Sequence, residues 1–370
     1  MISRTQEPNL GGLGLINLEN ILRTHQERYP LLEPVDLVKL IYQNEFGNGH
    51  FIQDEGTSLA RLKEETRLLR HKDLPLFETI GNGFVRLHLG ALGGTLPLQT
   101  VNRFFVLTAA KGRGSVGGFE QKLEVLKGLC PEHALDLFLE EYKRAGYPPM
   151  SHSPSYREQY APSYRVVSGD FALYYPVFRC IEELLRNQEP IKVAIDGRSG
   201  SGKSYLARLL HDVYDCPIIS MDHFFLRLQQ RTKKRLQEPG GNIDYERFQK
   251  EVLTKLKGGD AFSYRIYDCQ EDSFFASPII SPHPLTIVEG SYSHHPALAA
   301  GHDLKVFLTV HPDMQRSRLL KRNGPVMLER FIEEWIPLEE LYFTSLGIQE
   351  QSDIVLDTGG EPGTQERETL

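Results

Sequence analysis

The sequence predicts an α/β protein: a five-stranded parallel sheet with helices on both faces, preceded by a mainly helical α+β N-terminal domain. Three observations predict it. A length of 370 residues suggests two domains. From residue 191 onward, five short apolar runs (IKVAIDG, CPIISMD, LTIVEG, DLKVFLTV and DIVLD) alternate with amphipathic helical stretches. Strands alternating with helices imply a parallel sheet covered on both faces. The third is a glycine-rich octapeptide, GRSGSGKS at 197–204, between the first apolar run and the helical pattern SYLARLL.

The elements follow in chain order. Residues 1–30 begin polar and Gly-rich and are expected to be loose. A helix is predicted from Pro34, where Val35, Leu37, Val38, Leu40 and Ile41 form an apolar stripe. TSLARLKEETRLLR reads as a second helix with Thr57 as its N-cap. ETIGNGFVRLHLG reads as a strand pair turning at Gly81, Asn82 and Gly83. Three more helices are predicted in VNRFFVLTAAK, FEQKLEVLKGL and PEHALDLFLEEYKRAG. GYPPMSHSPSYREQYAPSYRVV is expected as a Pro- and Tyr-rich loop, and DFALYYPVFRCIEELLRNQ as one helix despite Pro176. The domains are therefore 31–188 and 189–358, with 359–370 as a disordered tail.

Composition narrows the function classes. The net charge of −7 argues against broad nucleic-acid or anionic-membrane binding. No run of eighteen apolar residues predicts a transmembrane helix. Cys130, Cys180, Cys216 and Cys269 are far apart and form no CxxC pair, so reduced thiols and a cytoplasmic location are expected. A homo-oligomer stays open.

GRSGSGKS matches GxxxxGK[ST] at every fixed position, in the strand–loop–helix setting that this phosphate loop requires. Gly197, Gly200 and Gly202 let the backbone approach phosphates. Backbone N–H groups at a helix N-terminus attract anions. The expected nucleotide contacts are Gly197, Ser199, Gly200, Ser201, Gly202, Lys203, Ser204 and Tyr205, with ATP as the nucleotide. Lys203 would reach the β- and γ-phosphates, and Ser204 would bind Mg²⁺.

Further residues point beyond binding. Asp222 follows the second apolar run, at the strand edge where α/β proteins bind ligands. It could accept a hydroxyl proton, or hold Mg²⁺ through water. LTIVEG ends in Glu289 and Gly290, a placement that suits Glu289 to steadying Mg²⁺. MQRSRLLKRNG places Arg316, Arg318, Lys321 and Arg322 on about two helical turns, as a closing lid would need. A solvated basic face is the plainer reading of that helix.

In this order, the phosphate loop, SMDHFF, NIDYERF, YRIYD, IVEG and the Arg-rich helix resemble the uridine kinase family, which is related to phosphoribulokinase and pantothenate kinase. The resemblance covers about residues 191–357. It implies that Asp222 is the general base toward a nucleoside hydroxyl. It implies substrate contacts from Phe225, Asp244 and Tyr267, and catalytic roles for Lys203, Arg316, Arg318 and Arg322. Two departures concern the acceptor. Phe225 stands where the family usually has Tyr, and Asp272 is the nearest candidate where it commonly has His. A uridine-like acceptor is the first expectation, followed by a sugar or other small polyol. A regulatory nucleotide switch and a bifunctional enzyme are the alternatives.

The N-terminal half offers His50 and Asp54 in EFGNGHFIQDE, Arg86 and His88 two apart in FVRLHLG, and His152 in SHSPSYREQYAPSYR. Convergence of His50, His88 and His152 on a metal or an anion is one expectation; packing is the other.

Overall fold

The computed structural model describes residues 10–48, 54–69, 73–112, 114–130, 133–187 and 190–359. They form two compact units that divide between Leu173 and Tyr174.

In the first unit, helices α1 (Leu10–Arg28), α2 (Pro34–Phe46) and α3 (Glu55–Arg67) precede strands β1 (Phe77–Gly81) and β2 (Phe84–His88). Helices α4 (Leu98–Ala110), α5 (Val116–Leu129), α6 (His133–Arg144) and α7 (Pro154–Tyr160) follow, then β3 (Tyr164–Ser168) and α8 (Gly169–Leu173). The three strands form one antiparallel sheet in the order β1-β2-β3. Asn82 and two flanking glycines turn the first hairpin with positive φ, as their residue types allow. Leu18 and Leu22 of α1, Val38 and Ile41 of α2 and Phe119 of α5 meet in the core.

Four expectations are corrected. Asp54, not Thr57, caps α3, its side chain accepting from Thr57 N. Residues 10–28 are helix, not a loose segment, because α1 buries Leu18 and Leu22. The expected loop at 146–167 contains α7 and most of β3. Ser153 caps α7 by accepting from Tyr156 N, and Pro154 takes the first turn, where its missing N–H costs nothing. The single helix expected after residue 169 is two, α8 and α9 (Tyr175–Asn187). Pro176 lies in the first turn of α9, and α9 packs on a strand of the second unit. The division therefore falls ahead of α9, about fifteen residues before the expected boundary. Residues 360–370 lie outside the described residues.

The second unit continues with β4 (Ile191–Gly197), α10 (Lys203–Tyr214), β5 (Ile218–Ser220), α11 (Lys233–Leu236), α12 (Tyr245–Phe248) and α13 (Thr254–Gly258). Next come β6 (Arg265–Asp268), β7 (Ser273–Ala276), β8 (Leu285–Glu289), α14 (Pro296–Ala299) and β9 (Leu304–Thr309). Helices α15 (Pro312–Arg330) and α16 (Ile336–Leu346) and strand β10 (Ile354–Asp357) complete it. The five expected strands form a parallel sheet in the order β10-β9-β4-β8-β5. Its inner strands are apolar on both faces, as a sheet covered twice requires. The β6–β7 hairpin stands apart as its own two-stranded sheet. Among the described residues, no helix is long and apolar enough to cross a membrane, and no cysteine forms a disulfide.

The first unit also buries polar groups. Asp36 Oδ1 accepts from His152 Nδ1 at 2.8 Å and from Ser153 N at 2.9 Å. His152 Nε2 lies 2.7 Å from the Tyr164 hydroxyl. Glu78 is buried among Arg28, Tyr29 and Arg86, with His25 Nε2 and His88 Nε2 at 3.4 and 3.6 Å. His88 therefore faces Glu78 while His152 faces Asp36. His50 lies outside the described residues, among which no three His, Cys, Asp or Glu side chains are grouped to hold a metal.

Burial pushes the His152 imidazole down to about 4, with the Asp36 hydrogen bond opposing. The native ring therefore stays neutral where the unfolded one takes a proton. Its contribution is fully present above about pH 6.5 and is lost as pH falls toward 4. Hydrogen exchange of the β3 amides, corrected for intrinsic rates, should show about 2 kcal/mol less protection at pH 5 than at pH 7. His152→Gln should flatten that difference; an unchanged slope in the variant would assign it to other groups.

Candidate functional site

The phosphate loop leaves the carboxyl end of β4, the middle strand of the sheet. Gly197 has φ 134°, and a Cβ there would lie 2.0 Å from Leu308 O on β9. Only glycine fits that approach. Gly200 and Gly202 also have positive φ, at 76° and 97°. Lys203 opens α10, and its ammonium donates to Gly197 O at 2.7 Å and Arg198 O at 3.1 Å. The cation thus lies over a loop whose N–H groups gather at a helix N-terminus.

Two carboxylates face this loop. Glu289, the last residue of β8, accepts from Ser204 Oγ at 3.0 Å and from Ser220 Oγ at 2.9 Å. Burial pushes its carboxyl up, and the Asp222 charge adds to the rise. A hard divalent cation would favour the ionised form and reverse that cost. An oxygen-only set from Ser204 and Glu289 suits such a cation. Asp222 is exposed in the short 3₁₀ turn after β5. It lines the same cleft, of about 490 Å³, as Lys203, Ser204, Tyr205, Phe225 and Glu289.

Helix α15 closes one side. Arg318 donates to Gly200 O at 3.2 Å and, through both terminal nitrogens, to Thr358 at 3.0 and 2.6 Å. Arg322 is exposed and also lines the cleft. Arg316 is exposed and lies outside the lining. At Gly324 (φ 77°, ψ 173°) the helix breaks, ahead of Pro325. The chain beyond it supplies an apolar wall of Met327, Phe331 and Trp335.

Three expected substrate residues sit elsewhere. Asp244 caps α12 by accepting from Arg247 N, and takes a further hydrogen bond from Gln230. The Tyr267 hydroxyl donates to Asp272 Oδ1 at 2.7 Å within the β6–β7 hairpin. None of the three lines the cleft.

Two residues of the cleft went unread in the sequence. Glu339, buried on α16, accepts from Ser199 N at 3.0 Å, Ser199 Oγ at 2.7 Å and Ser291 Oγ at 2.8 Å. Nothing in IPLEELYF separates it from its neighbour Glu340, which pairs with Arg198 at 2.8 Å. Trp335 was equally silent, since an aromatic residue on an amphipathic helix reads as core.

No known family profile matches the chain, and no curated protein matches it. Solved structures do resemble it over about half its length. A possible uridine kinase from Bacillus stearothermophilus has 18% identity and a TM-score of 0.38, covering 49% of this chain and 100% of that one. A candidate fructose transport system kinase from Silicibacter sp. TM1040 has 22% identity and a TM-score of 0.39, covering 48% and 96%. A shikimate kinase from Bacteroides thetaiotaomicron has 15% identity and a TM-score of 0.24, covering 45% and 85%. The second unit has a P-loop kinase fold, on its own strand order and loop. With TM-scores below 0.5, the site's own geometry has to carry the function.

Trp335 is the one tryptophan in the chain and lines the cleft. A nucleoside triphosphate entering beside the loop should change its fluorescence saturably. Lys203→Ala should weaken that response roughly tenfold or more, because a charge-assisted contact is lost. A response of equal affinity in the variant would place the nucleotide away from the loop.

Proposed function

We propose that the second unit is an ATP-dependent kinase that phosphorylates a hydroxyl of a small molecule. The observation that supports it most is that Asp222 lines the same cleft as Lys203, Ser204 and Glu289. A hydrolytic switch needs the loop and its metal site. A free carboxylate edge on the same cleft, with an apolar wall of Phe331 and Trp335, suits an organic acceptor.

In this reading Asp222 orients the acceptor hydroxyl and takes its proton. The acceptor oxygen bonds to the γ-phosphorus as the bond to the bridging oxygen breaks, and ADP leaves. Lys203, Arg318 and Arg322 offset the charge on the phosphoryl oxygens. Ser204 and Glu289 would hold Mg²⁺, which neutralises phosphate charge when bound. Arg316 has no part in this scheme, because it lies outside the cleft lining.

The acceptor is a nucleoside by resemblance alone. Asp244, Tyr267 and Asp272 are engaged in other contacts and lie off the cleft, so a sugar or other polyol fits the lining as well. A cytoplasmic location belongs to this reading, because ATP is the phosphoryl donor it assigns.

Asp222→Asn should lower turnover by about 10²-fold or more while nucleotide affinity changes little. Equal losses in both would count against the base role. Lys203→Ala should abolish transfer with the fold retained, and a fully active variant would remove the proposal.

A further inference from the structure

The phosphoryl-transfer reading leaves a second cavity unused. It measures about 740 Å³ and lies wholly within the first unit. That volume is enough for a small organic ligand. The segment SHSPSYREQYAPSYR, which the kinase reading did not absorb, supplies much of its wall. It does so because α7 and the strand after it fold His152, Arg157, Tyr164 and Arg165 back toward α2 and α3.

The charges of the lining are unbalanced. Among the described residues of the lining, Lys39, Arg61, Arg157 and Arg165 face only Asp54 and Glu65. Arg165 and Glu65 satisfy each other at 2.8 Å. Asp54 caps α3 by accepting from Thr57 N, and lies near enough to Arg61 to feel its charge. Three cations therefore remain against one carboxylate.

Lys39 is the least exposed of the three. It is half-buried, and among the described residues its hydrogen-bond partner is a neutral one, Met150 O. Burial and the Arg86 guanidinium push the ammonium down to about 8. Asp36, three residues earlier on α2, is the nearest compensating charge, but its oxygens are taken by His152, Ser153 and Glu33 N. An ammonium held this way on a cavity wall is costly unless an anion shares the cavity.

Another part of the wall is a hydrogen-bonded chain of uncharged side chains. With the Nδ1 proton given to Asp36, the His152 Nε2 accepts from the Tyr164 hydroxyl, whose oxygen accepts from Gln43 Nε2 at 3.1 Å. Phe105, with the Arg165 guanidinium 5.5 Å from its ring centre, and Leu68 add an apolar patch. The lining thus pairs a cationic corner with an apolar one.

We propose that this cavity is a second ligand site, for an organic phosphate ester. Lys39, Arg61 and Arg157 hold the phosphate oxygens, and Phe105 and Leu68 flank the organic body. A phosphate dianion matches three donors and an excess of positive charge better than one carboxylate does. The site stands independently of the phosphate loop.

Calorimetric titration of the full chain carrying Lys203→Ala, which weakens the loop, tests the site with inorganic phosphate and with malonate. Phosphate should bind, and more tightly than malonate. Arg157→Gln, at an exposed position that does not threaten folding, should weaken phosphate roughly tenfold, and Lys39→Met at least as much. Phosphate affinity unmoved by both substitutions, or no phosphate binding at all, overturns the site. Malonate binding as tight as phosphate overturns the ligand class.

Discussion

The second unit depends on one buried carboxylate. Asp196, at the end of β4, is fully buried and accepts from Gly197 N, Tyr292 N, His294 N and the Tyr342 hydroxyl at 2.7 to 3.2 Å. Burial pushes its carboxyl up, while these donors and the Lys203 charge favour the ionised form. The four donors come from the phosphate loop, the chain after β8 and helix α16. One acceptor thereby fixes three segments that line the cleft. The loop starts where Asp196 holds it, Glu289 stands three and five residues before the two amides that Asp196 anchors, and Tyr342 sets α16 one turn from Glu339. Substrate chemistry at the surface rests on this interior junction.

The loop itself is drawn against its neighbours from three sides. Arg198 reaches Glu340 and Thr309, Ser199 reaches Glu339, and Arg318 reaches Gly200 O and Thr358. A loop with so many outside contacts is ordered before any ligand arrives, which lowers the entropic cost of binding phosphate. The break at Gly324 is placed differently. It separates the part of α15 tied to the loop from the wall carrying Phe331 and Trp335, which leads on into α16 and its own contacts with the loop.

What the sequence made legible was local. GRSGSGKS declares itself because glycine, lysine and serine at fixed spacing act within one turn of chain. The five strands declared themselves because a parallel sheet covered on both faces is apolar residue after residue. Glu339 could not be read, since its partner Ser199 lies 140 residues earlier and only the sheet topology joins them. The same holds for Asp36 and His152, 116 residues apart. The α7 segment was misread for a different reason: proline and tyrosine suggest a loop, yet Pro154 sits where a helix tolerates it and Ser153 caps the end. Asp244 and Tyr267 lie in motifs that resemble the uridine kinases, but their side chains are spent on Arg247, Gln230 and Asp272.

The most direct test follows the label in [γ-³²P]ATP when small hydroxyl compounds, nucleosides and sugars among them, are offered to the full chain. Transfer to a hydroxyl predicts labelled phosphate monoester with at least one acceptor, and release of inorganic phosphate that stays slow without one. Label appearing only as inorganic phosphate, at a rate indifferent to every acceptor, would contradict a kinase and leave a hydrolytic switch in its place.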